Sequence, residues 1–230
     1  MSPFRAPRRK AVTPGGKGRF PGFDVLDQSD LWDDVTAGVV LARLDPGPDF
    51  SFFTPAEQAT ADALFDVLLA QHEEPKVPVL HLVDRRLALD ETDGWFYEDM
   101  PEDTEAWRVT LAALDEDARK QFGTRFHDLS TQDQGSLVQA IADADQWHDL
   151  PAKHVWSLWT RYACAAFYSH PWAWNEIGFG GPAYPRGYKN IGVNAREGWE
   201  KPDQVGSDPI PWANRVEKAK RDHEARTDRS

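Results

Sequence analysis

The chain has 230 residues, 40% hydrophobic and 28% charged, which suits one core-forming domain with tails or at most two small domains. Its 26 Lys and Arg against 38 Asp and Glu give a formal net charge of −12, which repels phosphate backbones and anionic membranes, so nucleic acid is not an expected partner. Its one cysteine, Cys164, excludes an internal disulfide, a CxxCH haem attachment and an iron–sulfur cluster held by this chain alone.

Residues 1–19 carry six basic and no acidic side chains among scattered Pro and Gly, and read as a disordered basic arm. Arg8-Arg9-Lys10 invites a twin-arginine reading, but no apolar stretch follows it. No cleaved export signal is therefore expected, and cytoplasmic residence is the default. No segment reaches the roughly 18 apolar residues of a membrane-spanning helix, so no membrane insertion is expected.

Residues 20–53 read as an extended or partly helical extension, with one short helix near Ser29 to Leu44 capped by Ser29. Thr54-Pro55-Ala56-Glu57 is a capping box with proline at the first helical position. Behind it Ala59, Ala63, Leu64, Val67 and Leu68 recur at helical spacing to about Gln71. A second helix follows Pro78, with Asp84, Arg85 and Arg86 expected to face water. After the acidic loop of residues 90–103, Thr104 is a candidate cap for a helix that Asp115-Glu116-Asp117 should interrupt. Ser130 and Thr131 open another helix through Leu137, Val138 and Ile141, and residues 147–150 read as a turn. Pro151 starts a nearly all-apolar helix that breaks at His170-Pro171.

No alternating strand of useful length and no repeat is present. The expected class is all-α: a compact bundle of five or six helices, crossed by a long irregular segment rich in aromatics, Gly and Pro. This helical domain is expected over residues 54–208, followed by a charged tail over residues 209–230.

The chemistry-bearing residues are weakly patterned. The seven histidines form no HExxH, HxH or other spacing specific for a metal. Gly178 to Ala183 formally matches GxGxxA, but a dinucleotide fingerprint needs a strand before it and a helix after it, which Pro182 and Pro185 oppose. Cys164, between Ala163 and Ala165, reads as a buried thiol. No catalytic, cofactor-binding or metal-binding residue is assigned on these grounds.

The stretch from Val155 to Val193 carries more information. It holds four of the five tyrosines and four of the ten tryptophans. Val155, Leu158, Trp159, Tyr162 and Ala166 share one face of its helix, and Trp156, Ala163 and Phe167 share another. Two apolar faces suit either a central bundle helix or one that is partly covered by another protein.

Two passages within residues 52–199 resemble the gluconate 2-dehydrogenase subunit 3 family. One is Phe52-Phe53-Thr54-Pro55-Ala56-Glu57 with the helix that follows. The other is Ala166-Phe167-Tyr168-Ser169-His170-Pro171, Asn175-Glu176-Ile177-Gly178-Phe179 and Gly181-Pro182-Ala183-Tyr184-Pro185-Arg186-Gly187-Tyr188. The resemblance implies a non-catalytic small subunit beside a large flavoprotein of the glucose–methanol–choline (GMC) type. That partner holds FAD and oxidises a sugar, and a cytochrome c often takes the electrons. It also implies a scaffold, stability or maturation role for this chain, with no cofactor of its own. Many members carry a twin-arginine signal, so the complex is expected either in the cytoplasm or exported on the partner's signal.

The expected partner interface is His170, Pro171, Trp172, Trp174, Asn175, Glu176, Gly178, Phe179, Gly180, Gly181, Tyr184, Arg186 and Tyr188. The aromatics are the anchors, Asn175, Glu176 and Arg186 the polar contacts, and the glycines points of close backbone approach. Two alternatives stand beside it. One is an independent enzyme with His148, His154 or His170 as general base beside a carboxylate in an aromatic pocket. The other is an interaction domain unrelated to redox work.

Overall fold

The structure is a computed structural model that describes residue 20, residues 22–190, residue 192 and residues 195–201. The basic arm and the charged tail expected at the two ends lie outside the described residues. The all-α class holds: apart from a two-stranded hairpin, the regular elements among the described residues are helical.

A 3-10 helix, Val25–Leu31, leads into α1, Asp34–Leu41. The single helix expected from Ser29 is thus two elements. Asp24 caps the first by accepting from the Leu26 N–H, and Asp33 caps the second by accepting from the Thr36 N–H at 2.7 Å. An aspartate just ahead of each helix start meets the orphan N–H groups, a role that Ser29, inside the 3-10 helix, cannot fill.

Helix α2, Pro55–Leu69, has the expected capping box in both directions, with Thr54 and Glu57 exchanging bonds and Pro55 at the first position. Helix α3 is Val79–Ala88 and α4 is Asp103–Phe122. Helix α5, Thr131–Ala142, is capped by Ser130, which accepts from the Asp133 N–H. The expected turn is a hairpin of β1, Gln146–Trp147, and β2, Leu150–Pro151, paired antiparallel. Helix α6 is Ala152–Ser169 and α7 is Pro171–Ile177, so the chain after Pro171 opens with two helical turns rather than an irregular run.

Three expectations about acidic residues are corrected, each because the carboxylate has a donor to serve indoors. Asp84 is 2% exposed and accepts from the Ser51, Phe52 and Phe53 N–H groups at 2.8, 3.0 and 2.8 Å. It therefore gathers the incoming chain onto α3 instead of facing water. Helix α4 begins at Asp103, ahead of Thr104, because Asp103 turns inward to accept the Tyr162 hydroxyl at 2.6 Å and pair with Arg161 at 3.1 Å.

The same helix runs unbroken through Asp115-Glu116-Asp117, since the three carboxylates leave it in different directions. Asp115 is buried and accepts from the Phe126 N–H at 3.0 Å and the Thr60 hydroxyl at 3.2 Å. Glu116 pairs outward with Lys120, one helical turn on. Asp117 takes the Trp147 indole N–H at 2.6 Å and meets His148 at 2.8 Å.

Helix α6 runs through the centre of the bundle, contacting α2, α3, α4, α5 and α7. Its first face is buried at Val155, Leu158, Trp159, Tyr162 and Ala166, and Ala163 on the second face is also buried. Trp107, Trp159, Tyr162, Phe65 and Phe126 are the largest fully enclosed side chains of the main core. Cys164 is exposed, contrary to expectation, because Tyr162 and Ala163 take the inward arc and leave Cys164 and Ala165 facing out. A second, smaller core unites Phe23, Val25, Trp32 and Val40 with Trp174 of α7, so the N-terminal segment lies over the start of the aromatic stretch. Among the described residues no helix is long and apolar enough to cross a membrane.

Candidate functional site

The aromatic stretch is organised by α7 and the glycine turn behind it. Helix α6 ends where His170 leaves helical geometry, and His170 then caps α7, its Nδ1 accepting from the Trp172 N–H at 3.2 Å. Pro171 suits the first helical position because that residue has no N–H to satisfy. His170 is fully buried, and burial lowers its pKa from 6.5 to about 4. The Arg43 backbone partly offsets this, and the Arg43 charge adds to the depression.

His170 is therefore neutral in the folded chain, while the unfolded chain protonates first as pH falls. This contribution to stability is whole above pH 6.5 and is lost as pH drops towards about 4. From pH 7 to pH 5 the loss is expected to be about 2 kcal/mol more in the native chain than in a His170→Asn variant, which keeps a capping acceptor but does not titrate. Urea midpoints at the two pH values check it.

Trp174 is buried, donates its indole N–H to the Tyr168 carbonyl at 2.6 Å and meets Phe179 edge-on with ring centres 5.3 Å apart. Asn175 reaches the N-terminal segment, accepting from the Val25 N–H at 2.7 Å and donating to Asp24 at 3.2 Å. The glycines behind α7 are roofed by rings. A Cβ on Gly178 would lie 2.4 Å from the Phe20 ring and one on Gly181 2.6 Å from Trp32, both at positive φ. One on Gly180 would meet Trp199 at 2.8 Å. Arg186 ties the turn together, donating to Gln28 at 2.6 Å and to the Gly180 and Pro182 carbonyls at 2.9 and 2.7 Å, while stacking over Trp199 at 3.9 Å.

The residues singled out in the sequence thus divide. His170, Pro171, Trp174, Asn175, Gly180 and Gly181 are buried within the chain's own fold, and Trp172, Glu176, Gly178 and Arg186 are half-buried. Phe179, Tyr184 and Tyr188 are exposed at 40%, 67% and 53%, with Ile177 beside them at 50%. The glycines do approach other chain segments closely, and these belong to the chain itself: Phe20, Val25 and Trp32 over Gly178 and Gly181, and Trp199 over Gly180. Asp24, Gln28 and Trp199, which hold the stretch in place, carry no local sequence signal. Trp32 and Phe23, isolated apolar groups in a polar region, carried a faint one.

The match to GxGxxA has no nucleotide geometry: α7 precedes it, no helix follows within residues 179–190, and aromatic rings fill the space where a pyrophosphate would lie. Of the candidate bases, His148 and His154 have carboxylate partners. His154 Nδ1 lies 2.7 Å from Asp99 with its ring stacked on Tyr97, and His148 lies 2.8 Å from Asp117. Each pair joins a loop or hairpin to a helix. Neither histidine lines the cavity of about 510 Å3 between α1, α3 and α6, nor that of about 270 Å3 beside Trp95 and Phe96. Among the described residues no group of three or more His, Cys, Asp or Glu could hold a metal ion.

The family described as gluconate 2-dehydrogenase subunit 3 matches residues 55–181, more than half of the chain, from the capping box of α2 to the last glycine of the turn. No curated protein and no solved structure matches the chain. The matched span covers α2 to α7, the bundle with its buried α6 and the helix capped by His170, and on it the chain belongs to the gluconate 2-dehydrogenase subunit 3 family.

Proposed function

We propose that the chain is the non-catalytic small subunit of an FAD-dependent oxidoreductase of the GMC type, acting on a sugar or polyol. It binds the large subunit, which holds the FAD, and stabilises it or helps it mature. A cytochrome c acceptor belongs to the same reading. The carrying observation is that Phe179, Tyr184 and Tyr188 are all exposed along a short stretch whose backbone is already clamped by Arg186. Fixed, amphipathic rings give contact area at low entropic cost, as interface anchors do. A dehydrogenase partner is preferred to a redox-unrelated one because the family is that of a dehydrogenase subunit.

A GMC-type flavoprotein is expected to be encoded beside this chain, and to be recovered in higher yield and with fuller flavin occupancy when the two are co-expressed. Equal yield and flavin content with and without this chain would count against the proposal. Tyr184→Ala combined with Tyr188→Ala is expected to weaken the pair by about tenfold or more, with the chain's own melting midpoint little changed because both rings are more than half exposed and Tyr188 gives up only its contact with Trp199. Titration of the purified flavoprotein with the variant measures it.

A further inference from the structure

A second surface has the features of a docking site and shares no lining residue with the exposed aromatics Phe179, Tyr184 and Tyr188. The cleft of about 510 Å3 between α1, α3 and α6 is walled by Val39 and Ala42, by Leu82 and Val83, and by Ala165 and Ala166. Arg43, Arg85 and Arg86 converge on it, with Glu91 also in its wall. Helix α1 is apolar on two sides. Ala37 and Val40 face the second core, while Val35 and Val39 are 77% and 54% exposed on the stripe that runs through Gly38 to Ala42 and the cleft. A helix that shows an uncovered apolar stripe beside a cleft is built for a covering element.

Charge says what kind. The chain has twelve more acidic than basic residues, yet three arginines line this cleft. Arg86 is committed to Asp93 and the Glu91 carbonyl. Arg43 donates to the Ser169 carbonyl at 2.8 Å, and neither it nor Arg85 has a carboxylate within 4.0 Å among the described residues. A half-buried guanidinium without a counter-charge is costly, and a bidentate carboxylate relieves that cost in a dry site better than in water. A small free anion could meet the arginines but would leave Val35 and Val39 bare. An acidic segment with an apolar side covers both.

We infer that this cleft takes an acidic, apolar-sided segment of the large flavoprotein subunit, an inference that rests on the subunit role proposed above. The segment lays its apolar side along Val35, Val39 and Ala42 and brings a carboxylate to Arg43 and Arg85. The test titrates this chain onto the GMC-type flavoprotein expected beside it, using Arg85→Glu and Val39→Glu, two exposed positions whose substitution should leave the melting midpoint unchanged. Each is expected to raise Kd about tenfold or more, and roughly 0.5 M salt should weaken the native pair more than the Arg85→Glu pair. If the native pair forms and both variants bind as tightly, the cleft assignment is overturned and the subunit role stands. If the native chain does not bind at all, the subunit role fails and the cleft assignment with it. A native chain that is itself a dimer and that Arg85→Glu dissociates overturns the assignment in favour of self-association. Citrate bound by the native chain and lost in Arg85→Glu, with flavoprotein binding unchanged, overturns it in favour of a small-anion site.

Discussion

Replacing Asp84 by alanine is expected to lower the unfolding free energy by about 4 kcal/mol, a large part of the 5–15 kcal/mol that holds an ordinary domain together. The carboxylate accepts three consecutive backbone N–H groups from Ser51 to Phe53. Alanine would leave these donors without their acceptor, the Phe53 N–H in a buried setting. The same few residues place Phe53 edge-on against Trp107, ring centres 6.0 Å apart, and deliver the chain to the capping box at Thr54. Asp84→Asn keeps an acceptor oxygen but not the charge, and is expected to fall between the two. Urea unfolding at neutral pH measures the series, and an Asp84→Ala loss below about 1 kcal/mol would mean that the carboxylate is in fact solvated.

Gly181→Val is expected to cost about 3 kcal/mol or more. The residue sits at φ +81°, where a β-branched side chain is strained, and its Cβ would lie 2.6 Å from the Trp32 ring and 3.0 Å from Val25. The clash falls on the second core, so the N-terminal segment should loosen from α7 before the main bundle unfolds. Trp32 is buried at 6% exposure and should show a red-shifted emission, with proteolytic cuts gathering within residues 22–45. Gly187→Ala is the control: it shares a positive φ but meets nothing within 4 Å, so it carries the backbone term without the clash.

The helices that the sequence made legible are those with a local signature. Thr54-Pro55-Ala56-Glu57, Ser130 ahead of Asp133, and the break at His170-Pro171 each encode a terminus within a few residues, and each stands where expected. What local patterning could not show is where an acidic side chain finds its donor. Asp84 and Asp115 look like surface residues in one dimension, yet they serve N–H groups 31 to 33 and 11 residues away. Cys164 erred in the opposite direction, because small neighbours say that a helix packs closely but not on which arc.

The candidate site was legible in part for the same reason. The concentration of rings and glycines marks a place where chain meets chain closely. It does not say that much of the covering comes from Phe20, Val25 and Trp32, more than 140 residues earlier. The glycines and Asn175 thereby serve the chain's own fold, and the tyrosines beyond them are what the surface presents.

The central claim, that this chain works as one half of a pair with a flavoprotein, is tested most directly by light scattering on size exclusion after co-expression with the GMC-type flavoprotein expected beside it. One peak carrying the summed mass of both chains together with the flavin spectrum is the predicted result. Two peaks, with the flavin in one and this chain alone at 26.0 kDa in the other, would contradict it.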